Sequence, residues 1–279
     1  MIQFDLPQVI EQIMANNTQW VDKFCGFYRD RFVTEIESKN LVMGTTKRND
    51  QRDDISIEYF AQVLTELEQK NCKFVGEIML AHADKIRGDY NINFERYINP
   101  SAPILNSLLS YVDVPIMIHW EAYNIERDLA NIKQMLDTHR TKTFIWVHCG
   151  FAHPPLIDDM LSQHSNLVAT LSKLELIRTS ESWLSSTHED LGGYNVRHKD
   201  YMDKLNTGML DSDGEIKSEW KTLLEKYPDR FMFATDSHKT YRQEKYDNIV
   251  SVWRNILGKL DEDLAKMIAH DNAMRIFDL

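Results

Sequence analysis

No Cys-x-x-Cys pair occurs in this sequence, and its three cysteines (Cys25, Cys72, Cys149) stand far apart. That spacing speaks against a disulfide framework and for reduced thiols in a cytoplasmic protein. No apolar run approaches ~18 residues, and no basic stretch precedes an apolar core at the N-terminus, so neither a membrane span nor a signal peptide is expected. Positive charge is scarce: 32 Lys and Arg stand against 43 Asp and Glu, a formal charge of −11. Nucleic acid and anionic membrane surfaces both ask for a basic face, so neither is an expected partner. The phosphate and nucleophile motifs are missing too, with no G-x-G-x-x-G after a strand, no G-x-x-x-x-G-K-[ST] and no G-x-S-x-G. Gly192-Gly193 lies in a polar segment without the helix that a phosphate cradle needs. No internal repeat or low-complexity tract appears.

What is present is a large apolar fraction, 43% of 279 residues, enough for one α/β barrel of roughly 250 residues. Three apolar runs end abruptly in a residue that can titrate. Phe144, Ile145, Trp146 and Val147 lead to His148; the run 114–118 leads to His119; the run 231–235 leads to Asp236. Such runs predict strands buried on both faces. Imidazoles and a carboxylate converging from separate strand ends are what metal chemistry requires.

Around these strands the periodicity predicts helices over 7–37, around 57–67 (Ile57, Phe60, Ala61, Leu64, Leu67), 102–110, 125–136, 155–163, 215–226, 243–257 and 261–277. Further strands are predicted at 41–45, 73–78 and 166–171, with 1–5 a degenerate candidate. The polar stretch 46–54 is predicted to be a loop. Residues 173–228 form a long polar insertion. Strand–helix alternation with short connections implies parallel βαβ units in a single domain spanning 1–279, with helices in 1–40. About six strands are countable, whereas a closed (β/α) barrel wants eight.

The order of motifs resembles the amidohydrolase-related branch of the metal-dependent hydrolase superfamily. The segments VGEI (75–78), PIMIHW (115–120), VHCGFAHPPLIDDML (147–161), SNLVATLS (165–172), RFMFATDSH (230–238) and HDNAMRIF (270–277) follow that family's order over roughly residues 73–279. One departure stands out: the family's first-strand His-x-His occurs nowhere in this chain, whose first histidine is His82.

The resemblance implies a TIM-like (β/α) barrel, incomplete or distorted at its N-terminal strands, with the 173–228 insertion overhanging the carboxyl-end face. It also implies a site in which Glu77, His119 and His148 hold one divalent ion, with Asp236 as the acid/base. Zinc suits two imidazoles and a carboxylate, as do manganese and iron. Each residue has a plainer reading: Glu77 in an ion pair, Asp236 as a helix cap, and either imidazole as a structural strand-end group.

His153 is assigned either to the start of a helix or to substrate, and His238 either to orienting Asp236 or to solvent. Arg178 and Arg197 would be surface charges or would meet a substrate carboxylate or phosphate. Trp183 and Tyr194 are candidate pocket residues. Cys149 is expected to pack beside the site, and His82, His139, His164, His188, His198 and His270 to sit in polar loops or helix ends without a role.

The expected function is hydrolysis of an amide, lactone or ester of a small organic acid by metal-activated water. Decarboxylation or hydration on the same barrel is the nearest alternative, and a catalytically silent barrel that binds a ligand is the other. A homo-oligomer is expected if the sheet edges are covered by a second subunit; helices within 7–37 are the other cover.

Overall fold

The computed structural model describes residues 51–52, 55, 57–70, 73–82, 85–87, 90–92, 96–172, 208–211, 213–236 and 246–278. The predicted elements before residue 51, the residues Arg178, Trp183, Tyr194, Arg197 and His238, and most of the 173–228 insertion lie outside them.

In chain order the elements are β1 (Gln51–Arg52), α1 (Ile57–Lys70), β2 (Val75–His82), β3 (Lys85–Arg87), β4 (Tyr90–Ile92), β5 (Arg96–Ile98), α2 (Pro103–Tyr111), β6 (Ile116–Trp120) and α3 (Ile125–Thr138). They continue with β7 (Phe144–Trp146), α4 (Pro154–Gln163), β8 (Leu167–Thr170), α5 (Ser218–Lys226), β9 (Phe231–Met232), α6 (Tyr246–Leu257), α7 (Glu262–Lys266) and α8 (Asn272–Phe277), with one π-helical turn, Met267–Asp271, between the last two. Seven strands form one sheet in the order β1-β5-β2-β6-β7-β8-β9, and β3 and β4 form a separate ribbon. From β2 through β9 every pairing is parallel, and helices connect the strands. This is the α/β pattern of a distorted TIM-like barrel.

The departures fall on the β2 side. Gln51 and Arg52, expected in a loop, pair as a short strand with β5. β5 runs antiparallel to β2, and the β3–β4 ribbon has no counterpart in the sequence reading. β2 itself continues past the predicted end at Ile78 to His82.

Alternation along the strands divides the apolar side chains between two faces. Phe144 and Trp146 of β7, with Ile116, Ile118, Leu167, Ala169 and Phe231, join the main core under the helices. Ile145, Val168 and Met232 point the other way and form a small second cluster with Met117, Ala273, Ile276 and Phe277. The closing helix α8 therefore packs on the face opposite the main core. Asn272 fixes it there, donating from its buried amide to the carbonyls of Pro228 (2.8 Å) and Phe231 (2.9 Å).

The helix starts follow local rules. Asn124 caps α3 by accepting from the Arg127 amide, while Pro103 and Pro154 open α2 and α4, where a missing N–H costs nothing. The described end of the insertion joins the helical layer: Trp220, Leu223 and Leu224 of α5 are buried in the main core. Burying a leucine side chain of this kind contributes on the order of 1.5–3 kcal/mol.

Candidate functional site

His119 lies two residues beyond Met117 on β6, so strand alternation carries it out on the face of the second cluster, at the carboxyl end of the sheet. It is buried, and so is the next residue but one, Glu121. His119 Nε2 lies 3.0 Å from Glu121 Oε1, and Nδ1 is hydrogen-bonded to Glu77 Oε1.

Glu77 comes from β2, as does His82, whose ring stacks on that of His119 with centroids 5.2 Å apart. His82 is five positions beyond Glu77, an odd offset, and strict alternation would send them to opposite faces. The pairing of β2 with β6 slips between Val75 and Ile78 and again between Met79 and Ala81. The second irregularity, lying between the two residues, lets both reach the same imidazole, the kind of re-aiming that β-bulges provide beside active sites.

The other histidine arrives on a different device. β7 stops at Trp146, and the chain winds through four consecutive residues with positive φ: His148 (57°), Cys149 (47°), Gly150 (60°) and Phe151 (52°). Each non-glycine residue in that region costs roughly 1–2 kcal/mol, so the turn persists only because its surroundings enforce it. Gly150 is required twice over, by its φ and by space: a Cβ there would lie 2.4 Å from the Trp120 carbonyl oxygen and 2.5 Å from the Trp146 indole. Those two tryptophans stack at 5.0 Å, and Trp146 Nε1 donates to the Trp120 carbonyl at 2.8 Å. The end of β8 grips the turn from the other side. The His148 amide donates to Thr170 Oγ1 (3.0 Å), and His148 Nδ1 faces Ser172 twice, 3.1 Å from its carbonyl, which can only accept, and 2.8 Å from Oγ.

With Nδ1 committed to Ser172, His148 presents Nε2 to the site. Asp236, at the end of the β9 segment and also at positive φ (46°), lies with Oδ2 3.8 Å from that nitrogen. The rings of His119 and His148 meet edge to face, 5.4 Å between centroids. Glu77, His119 and His148 each offer one ligand atom, and these atoms lie within 4.8 Å of one another; His82, His119 and Glu121 form a second such group.

Burial alone would raise the Glu77 carboxyl, but the charge and hydrogen bond of His119, with the charge of His148, outweigh it and hold it at about 2. Burial opposes protonation of His119, yet Glu77 and Glu121 together hold its pKa above the ordinary histidine value.

Four of the expected residues thus come together, from β2, β6, the turn after β7 and the end of β9. His153 stands at the start of α4, where its carbonyl accepts from the amides of Leu156 and Ile157. Arg178 and His238 lie outside the described residues. Cys149 packs beside the site as expected: it is buried, its Sγ reaches the Thr170 carbonyl, and burial pushes its thiol well above the ordinary range.

His82 corrects the sequence reading. It is no loop residue but the buried last residue of β2, in ring contact with His119. Glu121, Thr170 and Ser172 were also missed. The spacing His119-x-Glu121 was a usable signal, because residues i and i+2 of a strand share a face.

Comparison with known proteins bears on the chain as a whole. The sequence profile described as Amidohydrolase matches residues 102–279. Among solved structures, an uncharacterized TIM-barrel protein from Bordetella bronchiseptica is 12% identical, covering 89% of this chain and 71% of that one, with a TM-score of 0.44. A probable 2-pyrone-4,6-dicarboxylic acid hydrolase from Acinetobacter baumannii, with citric acid bound, is 11% identical over 98% of this chain and 89% of that one, with a TM-score of 0.45. An amidohydrolase from Burkholderia multivorans with bound zinc is 11% identical over 91% and 89%, with a TM-score of 0.41. No curated protein matches this sequence.

Proposed function

This chain belongs to the amidohydrolase family, and from that premise we propose that it hydrolyses an amide, lactone or ester of a small organic acid with water activated by one divalent ion. Zinc is the ion of first choice. The observation that carries the reading is the convergence of Glu77, His119 and His148, with ligand atoms within 4.8 Å of one another, beside Asp236.

The donor set fits the ion. His148 spends Nδ1 on Ser172 and keeps Nε2 for the site; His119 spends Nε2 on Glu121 and turns Nδ1 toward Glu77. Glu77 is held in its charged form. Two directed ring nitrogens, an ionised carboxylate and room for a fourth ligand make up a catalytic rather than a structural zinc set. The missing His-x-His removes the family's other pair of ligands, so the expected stoichiometry is one ion per chain.

An ion held by these residues supplies a Lewis acid that draws the pKa of a water toward 7. The remaining work falls to Asp236. Its carboxylate takes the water's proton as the oxygen adds to the substrate carbonyl, and returns that proton to the departing nitrogen or oxygen as the C–N or C–O bond breaks. Its Oδ2 lies 3.8 Å from His148 Nε2, so base and ligand nitrogen face the same centre. Substrate contact is assigned to Arg178, His153 and His238.

Elemental analysis tests the reading. About one zinc per chain is expected in the native protein and none in His148→Ala. Asp236→Asn should keep the metal and lose turnover by roughly 10²–10⁴-fold. A native chain that neither carries nor takes up a divalent ion ends the proposal.

A further inference from the structure

The group His82, His119 and Glu121 shares His119 with the site proposed above but adds two side chains, Glu121 and His82, on the far side from Glu77, to which that reaction gives no chemical step. Its geometry differs from that of a ligand set open to a substrate. The side chain of Glu121 is 1% exposed and that of His82 3%, against 22% for Glu77. Glu121 Oε1 lies 3.0 Å from His119 Nε2 and 3.8 Å from His82 Nε2, so one carboxylate oxygen faces both rings. The Glu121 amide donates to the Ala81 carbonyl at 3.0 Å, anchoring the carboxylate's own backbone to β2 beside His82. The His82 ring lies over that of His119 with only 27° between their planes.

The geometry points to Glu121 as a positioning residue. It accepts the Nε2–H of His119, keeps that nitrogen protonated, and thereby leaves Nδ1 for the Glu77–His148 side, while the stacked ring of His82 covers one face of the imidazole. This deepens the function proposed above and rests on it for its consequence, metal affinity. The Nε2–H bond to Glu121 does not itself depend on a metal: in the metal-free ring Nδ1 also carries a proton, donated to Glu77, and only that proton would give way to an ion. A ring free to rotate about χ2 would present either nitrogen, or a carbon, to the ion. A carboxylate behind a metal-bound histidine typically sustains affinity by about 10–100-fold. Its place two residues after His119, one past the end of β6, brings Glu121 to the imidazole without any long-range connection.

Two readouts separate this from the metal reading. In the metal-free chain, ¹H–¹⁵N spectra of the histidine rings should show a protected Nε2–H for His119. Glu121→Gln should keep it, since the amide oxygen still accepts, and Glu121→Ala should lose it. Glu121→Leu, which fills the volume without an acceptor, should behave as Glu121→Ala does and serves if the alanine variant does not fold.

Zn²⁺ affinity, measured against a competing chelator, should fall about 10–100-fold in the Ala and Leu variants and stay within a fewfold of native in Glu121→Gln. Persistence of the protected Nε2–H in Glu121→Leu overturns the assignment. So does native zinc affinity in that variant. Two zinc ions per chain, one of them lost in His82→Ala, would make Glu121 a ligand and overturn it as well. If the native chain binds no zinc but the protected Nε2–H follows Glu121, the positioning stands and the hydrolase reading falls.

Discussion

The two sides of His119 use the same residue types to opposite ends. On the Nδ1 side, Glu77, His148 and Asp236 come from three separate segments, and the side chains of Glu77 and Asp236 keep 22% and 14% of their exposure. On the Nε2 side, Glu121 and His82 are closed off from solvent, and Glu121 follows the imidazole it holds by two residues, one past the end of β6. A cluster assembled from independent strand ends at the surface of the core can receive a ligand. A cluster sealed behind it can only set direction. Composition alone makes both look like metal sites; access and origin along the chain tell them apart.

The most damaging change should be His119→Ala, because it removes the group both sides share. Zinc binding should drop below detection, and the Glu121 carboxylate would be left buried without its imidazole, so thermal stability should drop as well. Normal zinc content in that variant would dissolve the distinction between the two sides.

Gly150→Ala comes next. The new Cβ meets the Trp120 carbonyl and the Trp146 indole in a left-handed turn, and the expected loss is ~2–5 kcal/mol in denaturant unfolding. A change below ~1 kcal/mol would show that the turn after β7 relaxes freely and that His148 is not held by its backbone.

Ser172→Ala addresses the open side alone. The change removes the hydroxyl 2.8 Å from His148 Nδ1 but leaves the Ser172 carbonyl, 3.1 Å away, as an acceptor, so Zn²⁺ binding should weaken by only about 10-fold while the Nε2–H of His119 stays protected. If both signals change together, the two sides are one coupled network.

The smallest expected effect lies away from the site and supplies a control. His139, hydrogen-bonded to Asn106, and His164, beside Asp137, have pKa values pushed down, first by burial. A histidine with a folded pKa below its unfolded value of ~6.5 lets the unfolded chain bind more protons as the pH falls. Its stabilising contribution is therefore complete above ~6.5 and is lost as the pH drops below that toward the folded value. Tm should fall between pH 7.5 and 5.5, and His164→Gln should flatten that decline. An unchanged slope in the variant would place the acid sensitivity elsewhere, for instance at the His119 cluster. The sign at His119 is opposite: its raised pKa gives stability that is lost as the pH rises through the folded value.

Much of the arc was legible in the linear pattern. β6, β7 and β8 and helices α1 through α4 stand within a few residues of where apolar periodicity and strand–helix alternation put them, because each buries a repeating set of positions that local chemistry can mark. The β2 region was less legible. A two-residue strand such as β1 carries no periodicity, and an antiparallel neighbour such as β5 is chosen by tertiary pairing. The extension of β2 to His82 was hidden for the same reason: the irregularities in its register break the alternation by which a strand is recognised.

By itself, the sequence determined the kinds of group available and their spacing along the chain. It put imidazoles at the ends of apolar runs, a glycine two residues past His148, and a closing helix whose Asn272 ties it to the strand beside it. Only the tertiary structure decided which nitrogen of each ring faces the centre, because that choice belongs to the acceptor on the ring's other side. Ser172 arrives from β8, and the backbone of Glu121 is anchored to β2. A ring nitrogen's direction is a property of three-dimensional neighbours, which no spacing along one strand can specify.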